Sequence, residues 1–287
     1  DLGASTVSGA LSVTASGAIT DSGNLAVTGN ANFAAGGGGV ITLGDAGGET
    51  TNFGTLTFTS TGAVTITEDD ATVLTGTNTA NSLTLTSAAG ITDAANTDIA
   101  VTNNASFNGT SILIGDDVAD TQTFGSLTFN SAGAVTITED NATDLTGTNT
   151  ALSLTLTSAA GITDAANTDI TVTNNASFSG TSILIGDDAM DAQMFGSLTF
   201  NSAGAVTITE DDATVLTGAN TANSLTLTSA MGITDVADTD IAVTNNASFS
   251  GTTILIGDDV ADTQNFGSLT FNSAGAVTIT EDTGTDL

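Results

Sequence analysis

The chain has no basic side chain: none of its 287 residues is Lys, Arg or His, whereas 32 are Asp or Glu. The formal net charge is therefore −32. Proteins that bind nucleic acids or anionic membranes neutralise phosphate groups with Lys and Arg. We therefore expect neither kind of partner, and any cation that balances the acidic side chains must come from solution.

Cysteine, proline, tryptophan and tyrosine are also absent. Without cysteine, no disulfide stabilises the fold. The sequence shows no signal peptide and no apolar run of about 18 residues that would predict a membrane span. Because it starts at Asp1 without a Met, we expect a processed chain or a section of a longer one.

What the sequence has in abundance is repetition. The phrase FGTLTF at 53–58 returns as FGSLTF at 124, 195 and 266, and the interval is the same each time. This period predicts a single continuous domain over 1–287. It consists of a divergent first repeat at 1–52, near-identical repeats at 53–123, 124–194 and 195–265, and a partial repeat at 266–287.

A shorter period lies inside each repeat, marked by an acidic residue that follows each central strand. The spacings of these residues are 23 to 25, which predicts twelve coils, three in each 71-residue unit. The marked residues are Asp21, Asp45, Glu68, Asp93, Asp116, Glu139, Asp164, Asp187, Glu210, Asp235, Asp258 and Glu281.

Apolar residues alternate with Thr within each coil, as in AVTIT at 63–67. Alternation places Val64, Ile66 and the following Leu74 on the inner face. We expect the middle coil of each repeat to close without a strand, through polar segments such as 118–123. All twelve phenylalanines recur at the period of the long repeat, which indicates core packing.

A coil of this size cannot bury its inner face alone, but stacked coils can. Parallel crossover connections are right-handed by default. The sequence therefore predicts an all-β fold: a right-handed parallel β-solenoid (β-helix) of triangular cross-section, with about 12 coils of 23–25 residues in four 71-residue repeats.

Residues 11–54, LSVTASGAITDSGNLAVTGNANFAAGGGGVITLGDAGGETTNFG, resemble the repeat region of filamentous-haemagglutinin-type exoproteins of Gram-negative bacteria. The resemblance implies a right-handed β-helix that is secreted across the outer membrane and serves as an adhesin, matrix fibre or cell-surface filament. The expected location is therefore extracellular or on the surface of a Gram-negative bacterium.

The acidic residues are the candidate site. If they stack along one edge, their mutual repulsion must be offset by divalent cations, by raised pKa values, by side chains that spread into solvent, or by Asn and backbone amide partners. The two main alternatives are a hydrated edge screened by salt and ordered Ca²⁺, which prefers oxygen ligands. Both alternatives stay open, and Ca²⁺ is the one cofactor that the sequence suggests. The candidate ligands are Asp21, Asp45, Glu68, Asp69, Asp93, Asp116, Asp117, Glu139, Asp140, Asp164, Asp187, Asp188, Glu210, Asp211, Asp235, Asp258, Asp259, Glu281 and Asp282.

Enzymatic activity is not expected. Enzymes on β-helix scaffolds commonly stabilise developing charge with Arg, Lys or His, and every acidic group here belongs to a repeating set. We expect a structural or adhesive fibre segment that associates end to end into filaments, with or without lateral bundling. The alternatives are an adhesin module that binds a glycan or a receptor, and an ice-binding solenoid that uses its Thr rows.

Overall fold

The computed structural model describes residues 1–282 and 284. Residues 283 and 285–287 of the expected partial repeat lie outside the described residues. The chain divides into two compact units, Asp1–Asn141 and Ala142–Leu287. The described residues contain strands and turns but no helix, and thus no helix long and apolar enough to cross a membrane.

The first unit contains fifteen strands. They are β1 (Ser5–Val7), β2 (Leu11–Ala15), β3 (Ile19–Thr20), β4 (Leu25–Ala35), β5 (Ile41–Leu43), β6 (Thr51–Ser60), β7 (Ala63–Glu68), β8 (Thr72–Leu74), β9 (Thr77–Ala80), β10 (Ser82–Ser87), β11 (Gly90–Asp93), β12 (Asp98–Gly109), β13 (Ser111–Ile114), β14 (Thr121–Ser131) and β15 (Ala134–Glu139).

The described part of the second unit contains sixteen strands. They are β16 (Thr143–Leu145), β17 (Thr148–Ala151), β18 (Ser153–Ser158), β19 (Gly161–Asp164), β20 (Asp169–Gly180), β21 (Ser182–Ile185), β22 (Ala192–Ser202), β23 (Ala205–Glu210), β24 (Thr214–Leu216), β25 (Ala219–Ala222), β26 (Ser224–Ser229), β27 (Gly232–Asp235), β28 (Asp240–Gly251), β29 (Thr253–Ile256), β30 (Thr263–Ser273) and β31 (Val277–Ile279).

Within each unit, the strands pair in parallel with strands of neighbouring turns. Val64 of β7 pairs with Leu83 of β10, and Leu83 pairs in turn with Ala105 of β12. The predicted fold class is confirmed: the protein is all-β, a parallel β-solenoid of about twelve turns.

The turns of the solenoid differ in length more than the spacing of the marked acidic residues suggested. Leu56 pairs with Leu74, so the turn between them is shorter than that spacing. Leu25 pairs with Thr51, and the turn between these two residues is longer. Only some of the acidic residues therefore mark equivalent positions in successive turns. Asp116 and Glu139 each follow the paired residues Ile114 and Ile137 by two positions, whereas Glu68 pairs with Ser87.

The core follows the predicted alternation. Val64, Ile66 and Leu74 are buried, while Thr65 and Thr67 between them are partly exposed. Eleven of the twelve phenylalanines are buried, which agrees with the core role predicted for them. Since the inner face of every turn carries such residues, the turns bury one another's apolar surface.

The expectation that the middle coil closes without a strand was wrong. Residues 121–123 begin β14, and Gln122 pairs with Ile99 of β12. Gln122 is fully buried. Burial of its amide nitrogen is tolerated because this nitrogen donates hydrogen bonds to the carboxylate of Asp93 and the carbonyl of Thr97. The polar composition of 118–123 did not predict a strand, because the residue that points inward is Gln122 and not an apolar side chain.

Candidate metal centre

Within the first unit, the marked acidic residues do not all lie along one edge of the solenoid, contrary to the prediction. Glu68 of β7 pairs with Ser87 of β10, whereas Asp93 of β11 pairs with Leu74 of β8. The two residues therefore lie on different strand stacks. The unequal lengths of the turns move some of the acidic residues out of alignment.

Three of the four glutamates in this set are buried and are not hydrated corner residues, whereas Glu281 is partly exposed. Glu68, Glu139 and Glu210 are each 1 % exposed. The Glu68 carboxylate accepts hydrogen bonds from the backbone N–H of Phe53 and from the Thr72 hydroxyl. Burial raises the pKa of Glu68 to about 7, against these two hydrogen bonds, which lower it. These three buried glutamates are therefore part of the core of the solenoid.

The aspartate after each glutamate has a different role. Its carboxylate accepts a backbone N–H at the start of an earlier strand, which ties the turn to the neighbouring coil. The pairs are Asp69 with Thr51, Asp140 with Gln122, Asp211 with Gln193 and Asp282 with Gln264. The glutamates also repeat their contact with a phenylalanine N–H, as Glu68 accepts that of Phe53. The further pairs are Glu139 with Phe124, Glu210 with Phe195 and Glu281 with Phe266.

Three groups of aspartates could hold a metal ion. In each group, one carboxylate oxygen per residue lies within 4.8 Å of those of the other two. Each group lies inside one unit, and each combines the end of a short strand with the loop that follows the strand paired with it. The groups, here called the Asp triads, are Asp93, Asp116 and Asp120; Asp164, Asp187 and Asp191; and Asp235, Asp258 and Asp262.

Asp164, in the second triad, is held by one of its two oxygens. Oδ2 accepts hydrogen bonds from the backbone N–H of Gly186 at 2.9 Å and from Nε2 of Gln193 at 3.0 Å. Oδ1 is buried and has no hydrogen-bond partner among the described residues. Asp164 is only 9 % exposed, so this oxygen is withheld from water as well.

Asp191 is equally buried, with 9 % of its surface exposed. Its Oδ1 accepts the backbone N–H of Thr168 at 2.9 Å, and its Oδ2 accepts that of Asp188 at 3.1 Å. The third member, Asp187, is exposed. The triad thus has two fixed carboxylates and one that faces solvent.

The electrostatics of the triads are unfavourable without a cation. Burial raises the pKa of Asp164 to about 6; its hydrogen bond from Gly186 opposes this rise, and the charges of Asp191 and Asp187 add to it. The pKa of Asp93 is raised to about 6 by burial and by the charge of Asp120 in the same manner. Carboxylate charges within 4.8 Å of each other repel by about 1 kcal/mol even at the dielectric constant of water.

The first triad borders a surface cavity of 270 Å³. Asp116, Asp117, Asp120 and Asp140 contribute to its lining. Since Asp116 and Asp117 are exposed, a hydrated ion can reach the carboxylates from solvent.

The other predicted ligands lie outside the triads. Asp117, Asp188 and Asp259 follow the exposed triad member directly, and their backbone N–H groups donate to the third member of each triad. In the first repeat, Asp21 accepts the N–H of Gly44 and Asp45 is exposed. These two residues join no triad among the described residues.

The sequence reasoning missed Asp120, Asp191 and Asp262, the third members of the triads. One signal was available: an aspartate stands at this place in each of the three near-identical repeats, three residues after a pair of aspartates. These aspartates lie in a loop and not at the end of a strand, so the strand pattern does not mark them.

Comparison with known proteins supports the repeat character of the chain. A family model described as repeats of unknown function (DUF5649) matches residues 1–60. No curated protein and no solved structure matches the chain. The resemblance to filamentous-haemagglutinin-type exoproteins stays a prediction from the amino-acid sequence of the repeats.

Proposed function

We propose that this chain is a non-catalytic structural segment of an extracellular fibre, which associates with further copies into filaments on a bacterial surface or in its matrix. The observation that carries the proposal is that successive repeats use the same core contact. The ring centroids are 5.5 Å apart for Phe33 and Phe53, and 5.7 Å apart for Phe107 and Phe124, Phe178 and Phe195, and Phe249 and Phe266.

A repeated contact of this kind favours a structural role. Each turn interacts only with its neighbours, so turns can be added without changing the contacts already made. Binding proteins and enzymes instead need one constellation that differs from the rest of the surface. The buried carboxylates recur with the same partners, as Glu68 does with Phe53 and Glu210 with Phe195.

The chemistry of the side chains supports the non-catalytic part of the proposal. The chain has no Lys, Arg, His or Cys to serve as a cationic stabiliser, an imidazole base or a thiol nucleophile. The extracellular location is supported by the resemblance of residues 11–54 to exoprotein repeats. This proposal does not depend on a bound cation.

Electron microscopy of the concentrated chain tests the proposal. We expect filaments with an axial repeat of about 4.8 Å, the spacing of paired strands. The Phe200→Ala variant, which removes one ring from the repeated core, serves as a control that should form fewer filaments. Single particles at every concentration, together with saturable binding to one glycan, would instead favour the adhesin-module alternative and contradict the fibre.

A further inference from the structure

We propose that each Asp triad binds one Ca²⁺, so that the chain carries three equivalent calcium sites, one in each near-identical repeat. The ion would join the end of a buried strand to an exposed loop: Asp164 belongs to β19, whereas Asp187 and Asp191 belong to the loop before β22. This inference goes beyond the fibre function and stands without it.

The orphaned oxygen of Asp164 is the observation that points to a ligand. Its Oδ1 is buried without a hydrogen-bond partner among the described residues, although the carboxylate lies in a triad whose oxygens approach within 4.8 Å. Leaving a charged oxygen both dry and unpaired is costly. Asp93 and Asp235 leave their Oδ1 atoms in the same state, so the feature recurs in all three triads.

The ligand chemistry suits calcium better than magnesium. Ca²⁺ takes about six to eight oxygen ligands at about 2.3–2.6 Å in a flexible geometry, whereas Mg²⁺ requires near-ideal octahedral geometry at about 2.0–2.1 Å and gives up its waters reluctantly. In the second triad, two of the three carboxylates are buried and held by hydrogen bonds, so they are not free to adopt the short, fixed distances that Mg²⁺ demands. A group of three carboxylates within 4.8 Å of one another therefore favours the ion that tolerates irregular coordination.

The loop geometry is already set for binding. Asp191 is fixed by hydrogen bonds from the N–H groups of Thr168 and Asp188, and Asp164 is fixed by Gly186 and Gln193. Only the exposed Asp187 must order when the ion arrives, so little conformational entropy is lost. Because the chain has no basic side chain, no internal cation competes for the site.

The first repeat provides an internal contrast. By strand register, Leu25 with Thr51 corresponds to Ile99 with Gln122, so Glu49 takes the place of Asp120, and Gly23 takes that of Thr97. The glutamate side chain is one methylene longer than that of aspartate, so the third carboxylate does not occupy the same place. Among the described residues, Asp21, Asp45 and Glu49 do not come together as a triad. The proposal therefore requires three sites and not four.

Calorimetric titration of the chelator-treated chain with CaCl₂ at pH 7.5 tests the proposal. We expect saturable binding of three Ca²⁺ per chain, with Kd in or below the range of about 10⁻⁴–10⁻³ M found for extracellular calcium modules, and at least tenfold weaker binding of Mg²⁺. The exposed triad members allow substitution without disturbing the core. Asp187→Asn should leave two sites, and the triple variant D116N/D187N/D258N should leave none.

The matched control is the triple variant D117N/D188N/D259N. It removes the same charge from the same loops but spares the triads, so we expect it to retain three sites. Circular dichroism confirms that both triple variants are folded. Equal loss of binding in both triple variants would show diffuse attraction to acidic loops and overturn the proposal. Four sites in the unmodified chain, or no saturable binding of Ca²⁺, would overturn it as well.

Discussion

The carboxylate of Glu68 accepts a hydrogen bond of 2.7 Å from the backbone N–H of Phe53 in the core of the first unit. Its other oxygen accepts the hydroxyl of Thr72 at 2.8 Å. The glutamate thereby connects β6, β7 and β8 at a place where water does not reach. In the second unit, Glu210 makes the same two contacts with Phe195 and Thr214.

The first prediction is that acid stabilises this protein. Burial raises the pKa of Glu68 from 4.5 to about 7, so between these values the folded chain binds more protons than the unfolded one. The contribution of this group to stability is full below pH 4.5 and is lost as pH rises to 7. That rise corresponds to about 3 kcal/mol at the site. Urea unfolding between pH 4.5 and 8 measures it.

The variant Glu68→Gln isolates the contribution of one site. A neutral amide can still accept the Phe53 N–H, so we expect E68Q to be more stable than the unmodified chain at pH 8 and nearly equal to it at pH 4.5. Asp117→Asn, at an exposed position, removes the same charge and should leave the pH dependence almost unchanged. An E68Q variant with the pH dependence of the unmodified chain would contradict the assignment.

The burial of Glu68 shows which sequence signal predicted the structure correctly and which did not. The alternation that correctly placed Val64 and Ile66 inside also places Glu68 on the same face, two residues further on. Its charge led to the opposite expectation, an acidic edge balanced by solvent or by Ca²⁺. Local alternation thus predicted the fold and the core, and it was more reliable than the charge of one side chain.

The triads depend on information that spacing alone does not contain. Asp120 is positioned by the backbone N–H of Thr97, which lies one turn earlier in the chain. Because some turns are shorter and others longer than the acidic spacing, the register of the turns could not be derived from that spacing. Asp93 and Asp116 were identified as candidates, but their partner was not.

The second prediction concerns one phenylalanine position in two repeats. Phe200 is fully buried, whereas Phe271, the equivalent residue of the following repeat, is 46 % exposed. Removing a buried ring loses its transfer free energy and leaves a cavity, so we expect Phe200→Ala to lower the free energy of unfolding by about 3–5 kcal/mol. Phe271→Ala should cost less than half as much. Urea unfolding of both variants measures the difference, and equal losses would contradict the packing described here.

The third prediction concerns the close approach of two strands at Gly125. The register of β12 and β14 shifts between Val101 and Asn104, opposite this glycine. A Cβ atom at Gly125 would lie 2.1 Å from the carbonyl oxygen of Thr102. Because both groups belong to paired backbone, we expect Gly125→Ala to destabilise the fold by about 1–3 kcal/mol.

A matched glycine separates this contact from general effects of the substitution. At Gly47 nothing lies within 4 Å of the added Cβ, so Gly47→Ala should be neutral or stabilising by up to about 1 kcal/mol. Thermal unfolding of the two variants provides the comparison. A G125A variant as stable as G47A would mean that the strands can separate at this place without cost.

The last prediction links the triads to stability. A ligand that binds only the folded chain stabilises it by about 2.7 kcal/mol per site at a concentration of 100 times Kd. Ca²⁺ should therefore raise the melting temperature of the chelator-treated chain, and EDTA should reverse the rise. Salt also screens the repulsion among acidic groups, so NaCl at equal ionic strength is the necessary control. The variant D116N/D187N/D258N keeps most of the acidic surface but loses one ligand of every triad. If Ca²⁺ raised its melting temperature as much as that of the unmodified chain, screening alone would explain the stabilisation.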